Sequence, residues 1–148
     1  MRAVIQRVNE ASVEIEGKLY SSCKKGLLIL LGVGEDDTDE DLNYIAEKCA
    51  NLRIFEDEKR KMNLSVLDVK GDILVVSQFT LFADTRKGRR PSFIKAAKPH
   101  KAIPLYEKFV SKMESFGLAV KSGVFGAMMD IKLINAGPVT IMIDSAEK

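Results

Sequence analysis

Gly26-Leu-Leu-Ile-Leu-Leu-Gly32 is apolar at every position between two glycines. A run of that kind predicts a central β-strand covered on both faces, because no position in it is left for water. Upstream, Met1 to Val8 is mostly apolar, and Ala11-Ser-Val13-Glu-Ile15-Glu alternates apolar and polar residues before Gly17. Those two segments predict a strand pair with one solvated face. Downstream, Thr38 and Asp41 have the spacing of a capping box, with acids at the positive end of the helix dipole. Leu42, Ile45, Ala46 and Cys49 would be the buried stripe of that helix. Leu52 to Phe55 and Asp72 to Phe82 predict further strands, with the polar Glu56 to Asn63 as a loop between them. A second helix is expected from Pro99 to Phe116, with Ile103, Tyr106, Phe109, Val110, Met113 and Phe116 inward and Gly117 as its stop. Two last strands, Met129 to Ile134 and Val139 to Asp144, flank the turn Asn135-Ala-Gly-Pro138. With no internal repeat and no linker, residues 1–148 read as a single mixed α/β domain with two main helices.

Composition narrows the function. The chain has 148 residues, 46% hydrophobic and 30% charged, enough for one domain with a core of its own. Cys23 and Cys49 are far apart, and Met1 to Glu10 lacks the apolar run of a signal peptide, so a reducing cytoplasm is expected. No apolar run approaches the ~20 residues needed to cross a bilayer. One His and two separated Cys make no conventional zinc site, and there is no HExxH, so neither metal nor cofactor is expected. Gly32-Val-Gly34 lacks the third glycine of a dinucleotide fingerprint and leads into acids that would repel a pyrophosphate. A Ser-His-Asp triad has only His100 to use, beside Pro99 in a basic segment, where a surface histidine is the better reading.

The net charge of +2 conceals a division. Glu35 to Asp41 holds six acids in seven residues. Thr85 to Lys101 holds seven of the 23 basic residues and no acid, which leaves 16 bases against 21 acids elsewhere. A body of net −5 with one strip of +7 is either a phosphate-binding surface or a solvated loop. No aromatic platform accompanies the strip in sequence.

Two motifs carry chemistry. Asp72-Ile-Leu-Val-Val-Ser77-Gln78-Phe79-Thr80 turns polar near its end, where side chains and backbone N–H groups suit a bound carbonyl oxygen; a sheet face open to solvent accounts for the same pattern. Asn135-Ala-Gly137-Pro138-Val-Thr140 reads equally as a plain hairpin turn.

Taken together, these motifs and several others make the chain similar to the D-aminoacyl-tRNA deacylases over essentially its whole length. The others are Ala3-Val-Ile-Gln6-Arg7-Val8, Ala11-Ser-Val13, Gly26-Leu-Leu with Leu31-Gly32-Val33, Leu52-Arg53-Ile-Phe55 and Lys61-Met62-Asn63. The resemblance implies a homodimeric three-layer α/β/β fold that hydrolyses the ester of D-aminoacyl-tRNA, and of mischarged glycyl-tRNA, with active sites at the subunit interface. It implies that Gly137-Pro138 is a Gly-cisPro motif reaching into the partner's site to exclude L side chains, with Arg7 orienting its carbonyls. Ser77, Gln78, Phe79 and Thr80 would line the scissile ester, with backbone N–H groups near Gln78 and Phe79 on the oxyanion and the tRNA 2′-OH assisting water. Phe125 and Met129 match positions near the terminal adenosine, although core packing explains them as well. Arg86, Lys87, Arg89 and Arg90 are expected on acceptor-stem phosphates, with RNA and not DNA as partner. Many relatives carry Asp where this chain has Ala136, so any hydrogen bond from that carboxylate is absent. A non-catalytic RNA-binding module, or an esterase using Thr80 or Ser77 as nucleophile, is the competing expectation.

Overall fold

A computed structural model describes residues 1–148. Eight strands and two helices follow in the order β1 (Arg2–Ile15), β2 (Lys18–Cys23), β3 (Gly26–Gly32), α1 (Asp39–Asn51), β4 (Phe55–Glu56), β5 (Met62–Leu64), β6 (Asp72–Ser77), α2 (Pro99–Ser115), β7 (Ala119–Ser122) and β8 (Asp130–Asp144). The main sheet runs β2-β1-β3-β6-β7, with β8 on the other edge of β1; β4 and β5 form a separate hairpin. Strand β3 is antiparallel to β1 and parallel to β6, so the sheet is mixed.

The central run behaves as its composition requires. Leu27, Ile29 and Leu31 join Ile73 and Val75 of β6 in a core that also takes Leu42, Ile45, Ala46, Cys49, Phe109 and Met113 of the helices. Leu28 and Leu74 turn the other way, into a second core with Val8, Ala11, Val13, Cys23 and Val76. The molecule is therefore three layers, helices over sheet over a second β layer. That second layer is built from the distal half of β1 with β2 and the start of β8. Strand β1 serves both layers by switching face: Ala3 and Ile5 point to the helical side, while Ala11 and Val13 point to the β side. The ladder to β8 slips at Gln6/Val8 and at Val8/Glu10, and an inserted residue inverts the alternation.

Helix α1 carries the expected capping box of Thr38 and Asp41 and buries its stripe, with Ala50 added. Helix α2 begins at Pro99 and ends before Gly117, which takes φ +81°. Ile103, Val110 and Phe116 are only half-buried on its inner face. Five expectations are corrected. Met129–Ile134 and Val139–Asp144 are one strand, β8, and the expected turn between them is a bulged loop within it. Met1–Val8 and Ala11–Glu16 are one continuous strand, not a pair, because the chain passes through a bulge and not a turn. Leu52 to Ile54 is not strand; only Phe55–Glu56 pairs, with Met62–Leu64, of which Met62 and Asn63 fall inside the segment expected as loop. The strand from Asp72 ends at Ser77 and gives way to a 3-10 turn at Phe79–Phe82. Strands β2 and β7 were not foreseen; β2 lacks clean alternation and β7 is only four residues long.

Candidate functional site

The chain turns sharply where β6 ends, and the turn is held from four sides. Gln78 N–H donates to Leu31 O at 2.8 Å, which extends the β3–β6 pairing by one bond. Arg2 donates to Leu81 O at 2.9 Å and lies over the Phe82 ring, 4.7 Å from its centroid. Gly32 and Gly34 supply the space: a Cβ on Gly32 would meet Leu81 and Phe82 at 3.2 Å, and one on Gly34 would meet the Phe82 ring at 2.9 Å. The Gly-Val-Gly sequence that resembled a partial dinucleotide fingerprint is thus a seat for this turn. Arg2 is a positioning residue that no sequence motif announces.

The first bond of the 3-10 turn runs from Leu81 N–H to Gln78 O, so the N–H groups of Phe79 and Thr80 have no backbone acceptor. Gln78 N–H is committed to Leu31, which corrects the expectation that it faces an oxyanion; the N–H groups left free at this turn are those of Phe79 and Thr80. The Thr80 hydroxyl accepts from Gln78 Nε2 and is exposed, with no histidine or carboxylate in contact.

Beside the turn lies a cavity of about 310 Å3, lined by Ser77, Gln78 and Phe79 on one side and Phe125 and Met129 on the other. The five residues are brought together from the end of β6 and the β7–β8 connection. Phe125 packs edge-on against Tyr106, with centroids 6.0 Å apart, and Met129 packs against the β-layer core. Both therefore line the cavity while serving as core. The Tyr106 hydroxyl donates to Val75 O at 2.9 Å, and burial pushes its pKa up to about 12, so it stays neutral. Thr80 is not in the lining, and His100 is exposed on the first turn of α2, also outside it.

Arg7, Gly137 and Pro138 are elsewhere. Opposite Arg7, four residues of β8 stand between Asn135, paired with Val8, and Thr140, paired with Gln6. The surplus leaves the sheet as an exposed loop containing a cis Gly137–Pro138 bond. Asn135 closes its neck: Oδ1 accepts from Val139 N–H at 2.7 Å, and Nδ2 donates to Val139 O and Thr140 Oγ1. Arg7 holds the other flank, Nε donating to Ala136 O at 2.8 Å and Nη1 to Ile54 O at 2.5 Å. The Ala136 methyl makes no such bond, so the backbone there is held by Arg7. Ser77 is level with Leu31 and Ala3, whereas Arg7 is level with Leu27. Four residues of strand, roughly 13 Å, separate the loop from the cavity of its own chain along the sheet.

Arg86, Lys87, Arg89 and Arg90 stand on an exposed loop closed by paired backbone bonds between Asp84 and Ser92. Asp84 grips Arg86 through both carboxylate oxygens, at 2.9 and 2.5 Å, and the guanidinium holds that carboxyl well below the usual range. The unengaged cations of the loop are Lys87, Arg89 and Arg90. Past its base, Phe93 meets Phe79 edge-to-face at 5.0 Å.

The chain is similar to known proteins over nearly its whole length. The chain is 58% identical to a D-aminoacyl-tRNA deacylase of Aquifex aeolicus, with 99% of each chain covered, and 57% identical to one of Thermosipho africanus, with 98% and 97% covered. Among solved structures it resembles a c-Myc DNA unwinding element binding protein, with TM-score 0.92, 40% identity and 97% and 98% of the chains covered. A probable eukaryotic D-amino acid tRNA deacylase shares the fold at TM-score 0.79 and 21% identity, over 96% and 97% of the chains. The family model described as D-Tyr-tRNA(Tyr) deacylase matches residues 4–144, and the chain belongs to that family.

Proposed function

We propose that this protein hydrolyses the ester of D-aminoacyl-tRNA, and of mischarged glycyl-tRNA, releasing the amino acid and tRNA in the cytoplasm. The observation that carries the reading is the separation of two half-sites: an exposed Gly137–Pro138 loop fixed by Arg7 and Asn135, and a strand-end cavity roughly 13 Å further along the sheet. A homodimer joins them, with the loop of one protomer entering the cavity of its partner. The terminal adenosine packs on Phe125 and Met129, and the ester carbonyl lies at the turn after Ser77. Water attacks the carbonyl carbon while Phe79 and Thr80 N–H hold the developing oxyanion, with Gln78 bracing the Thr80 hydroxyl. The bond to the ribose 3′ oxygen breaks and that oxygen takes a proton. The neighbouring 2′-OH orients the water, which makes RNA and not DNA the substrate. The partner's Gly137–Pro138 backbone fills the space an L side chain needs, whereas glycine and D residues clear it. Lys87, Arg89 and Arg90, with a lesser part from Arg86, take acceptor-stem phosphates.

Incubation with D- and L-aminoacyl-tRNA tests the activity. Release of the D amino acid alone is expected; release of neither sustains the binding module, and release of both the unselective esterase. Subunit mixing tests the shared site. Gly137→Ala spoils the loop and Met129→Trp fills the cavity, so each homodimer is inactive, while random reassociation restores up to about a quarter of full activity. No recovery in mixtures shown to exchange subunits contradicts a site built across the dimer.

A further inference from the structure

The basic strip carries no aromatic platform in sequence, but folding supplies one. Phe79 follows β6 and Phe93 follows the loop that Asp84 and Ser92 close, and their rings meet edge-to-face at 5.0 Å. Phe79 is 55% exposed although it also lines the cavity, and the adjoining Ile94 is 89% exposed. An apolar surface therefore continues out of the cavity to the root of a loop bearing Lys87, Arg89 and Arg90, with Arg86 partly neutralised by Asp84.

We propose that the Phe79–Phe93 pair with Ile94 is a docking site for unpaired nucleotides of RNA, those preceding the terminal adenosine. This rests on the deacylase reading and extends it to the strand between the cavity and the cationic loop. The chemistry matches that occupant in two ways. Aromatic faces stack on any base, and cations flanking them follow the sugar-phosphate backbone, which is the usual composition of single-strand sites. Between Thr85 and Lys101 there is no acid to repel that backbone. The ordering also fits: cavity, aromatic pair, cationic loop is the succession that a terminal nucleoside, a short single strand and a duplex stem present. A duplex offers no base face to Phe93, so the pair distinguishes overhang from stem.

Binding of uncharged RNA to the full chain tests this without any hydrolysis. The probes are an RNA duplex with a four-nucleotide 3′ overhang and the same duplex blunt, followed by fluorescence anisotropy at fixed salt. Phe93→Leu keeps the apolar bulk and removes the ring, and its thermal midpoint reports folding. We expect Phe93→Leu to bind the overhang RNA about tenfold more weakly and the blunt duplex unchanged, with Phe93→Tyr retaining wild-type affinity for both. Overhang binding equal to wild type in a folded Phe93→Leu variant overturns the proposal, as does an equal loss on both probes or a wild-type protein that fails to prefer the overhang. Should the wild type release no D amino acid while Phe93→Leu still loses the overhang selectively, the deacylase reading falls and the single-strand site stands.

Discussion

Gly137 sits at φ +137°, and a Cβ there would lie 2.8 Å from Arg7 Nη2 and 2.9 Å from Val139 Cγ2. A side chain at this position meets both a backbone conformation that L residues avoid and the guanidinium that fixes the loop. Gly137→Ala should cost ~1–3 kcal/mol of stability and leave the homodimer without hydrolysis of the D substrate. Denaturant unfolding and deacylation assays measure the two effects, and an unchanged rate contradicts the role given to the loop. Thr80 is the opposite case. Its hydroxyl is exposed, accepts from Gln78, and has no base in contact, so it is not set up to attack. Thr80→Ala should retain most of the activity, whereas an acyl group trapped on Thr80 by rapid quench would show that the hydroxyl is the nucleophile.

At the scale of the element, the loop after Asp84 shows that a count of charges is not a count of ligands. Arg86 spends its fork on Asp84, while Arg89 and Arg90 carry free charge outward. If both contact phosphates, replacing Arg89 and Arg90 with Ala should make the plot of log affinity against log salt shallower by about 1.5. Arg86→Ala should change that slope much less. Equal slopes for Arg86→Ala and the double variant would mean that Asp84 releases Arg86 on binding. The 3-10 turn makes a related point: its position depends on Arg2 from β1, and on Leu31 O of β3 with the space left by the neighbouring Gly32 and Gly34, so its backbone is set by two segments remote in sequence.

For the whole molecule, the two cores each conceal a thiol. Burial pushes Cys23 up to about 11 and Cys49 up to about 12, against 9.0 for the free side chain. Neither is a reactive thiolate near neutrality. Because the folded pKa values are raised, the thiols add stability below pH 9 that is lost as pH climbs from 9 toward 11–12, where the unfolded chain ionises first. At pH 8 both should react with a thiol reagent only at the rate of unfolding, and fast modification of the native protein would contradict their burial.

Reading the chain residue by residue determined a mixed α/β domain and most of its elements, while the three layers followed only from the resemblance to the deacylases. Gly26 to Gly32 demanded cover on both faces, Thr38 and Asp41 marked a helix start, and Gly117 marked a helix end, because burial pattern, capping and positive φ are local properties. The site was legible as two motifs, Ser77 to Thr80 and Asn135 to Thr140, but not as geometry. Tertiary structure decided that Gln78 N–H is already spent on β3, that Arg86 is held by Asp84, that Arg2 and a glycine pair seat the 3-10 turn, and that Phe93 meets Phe79. Each of these depends on hydrogen bonds or contacts between segments distant along the chain, and no periodicity within a segment encodes which partner a donor, a charge or a ring will find.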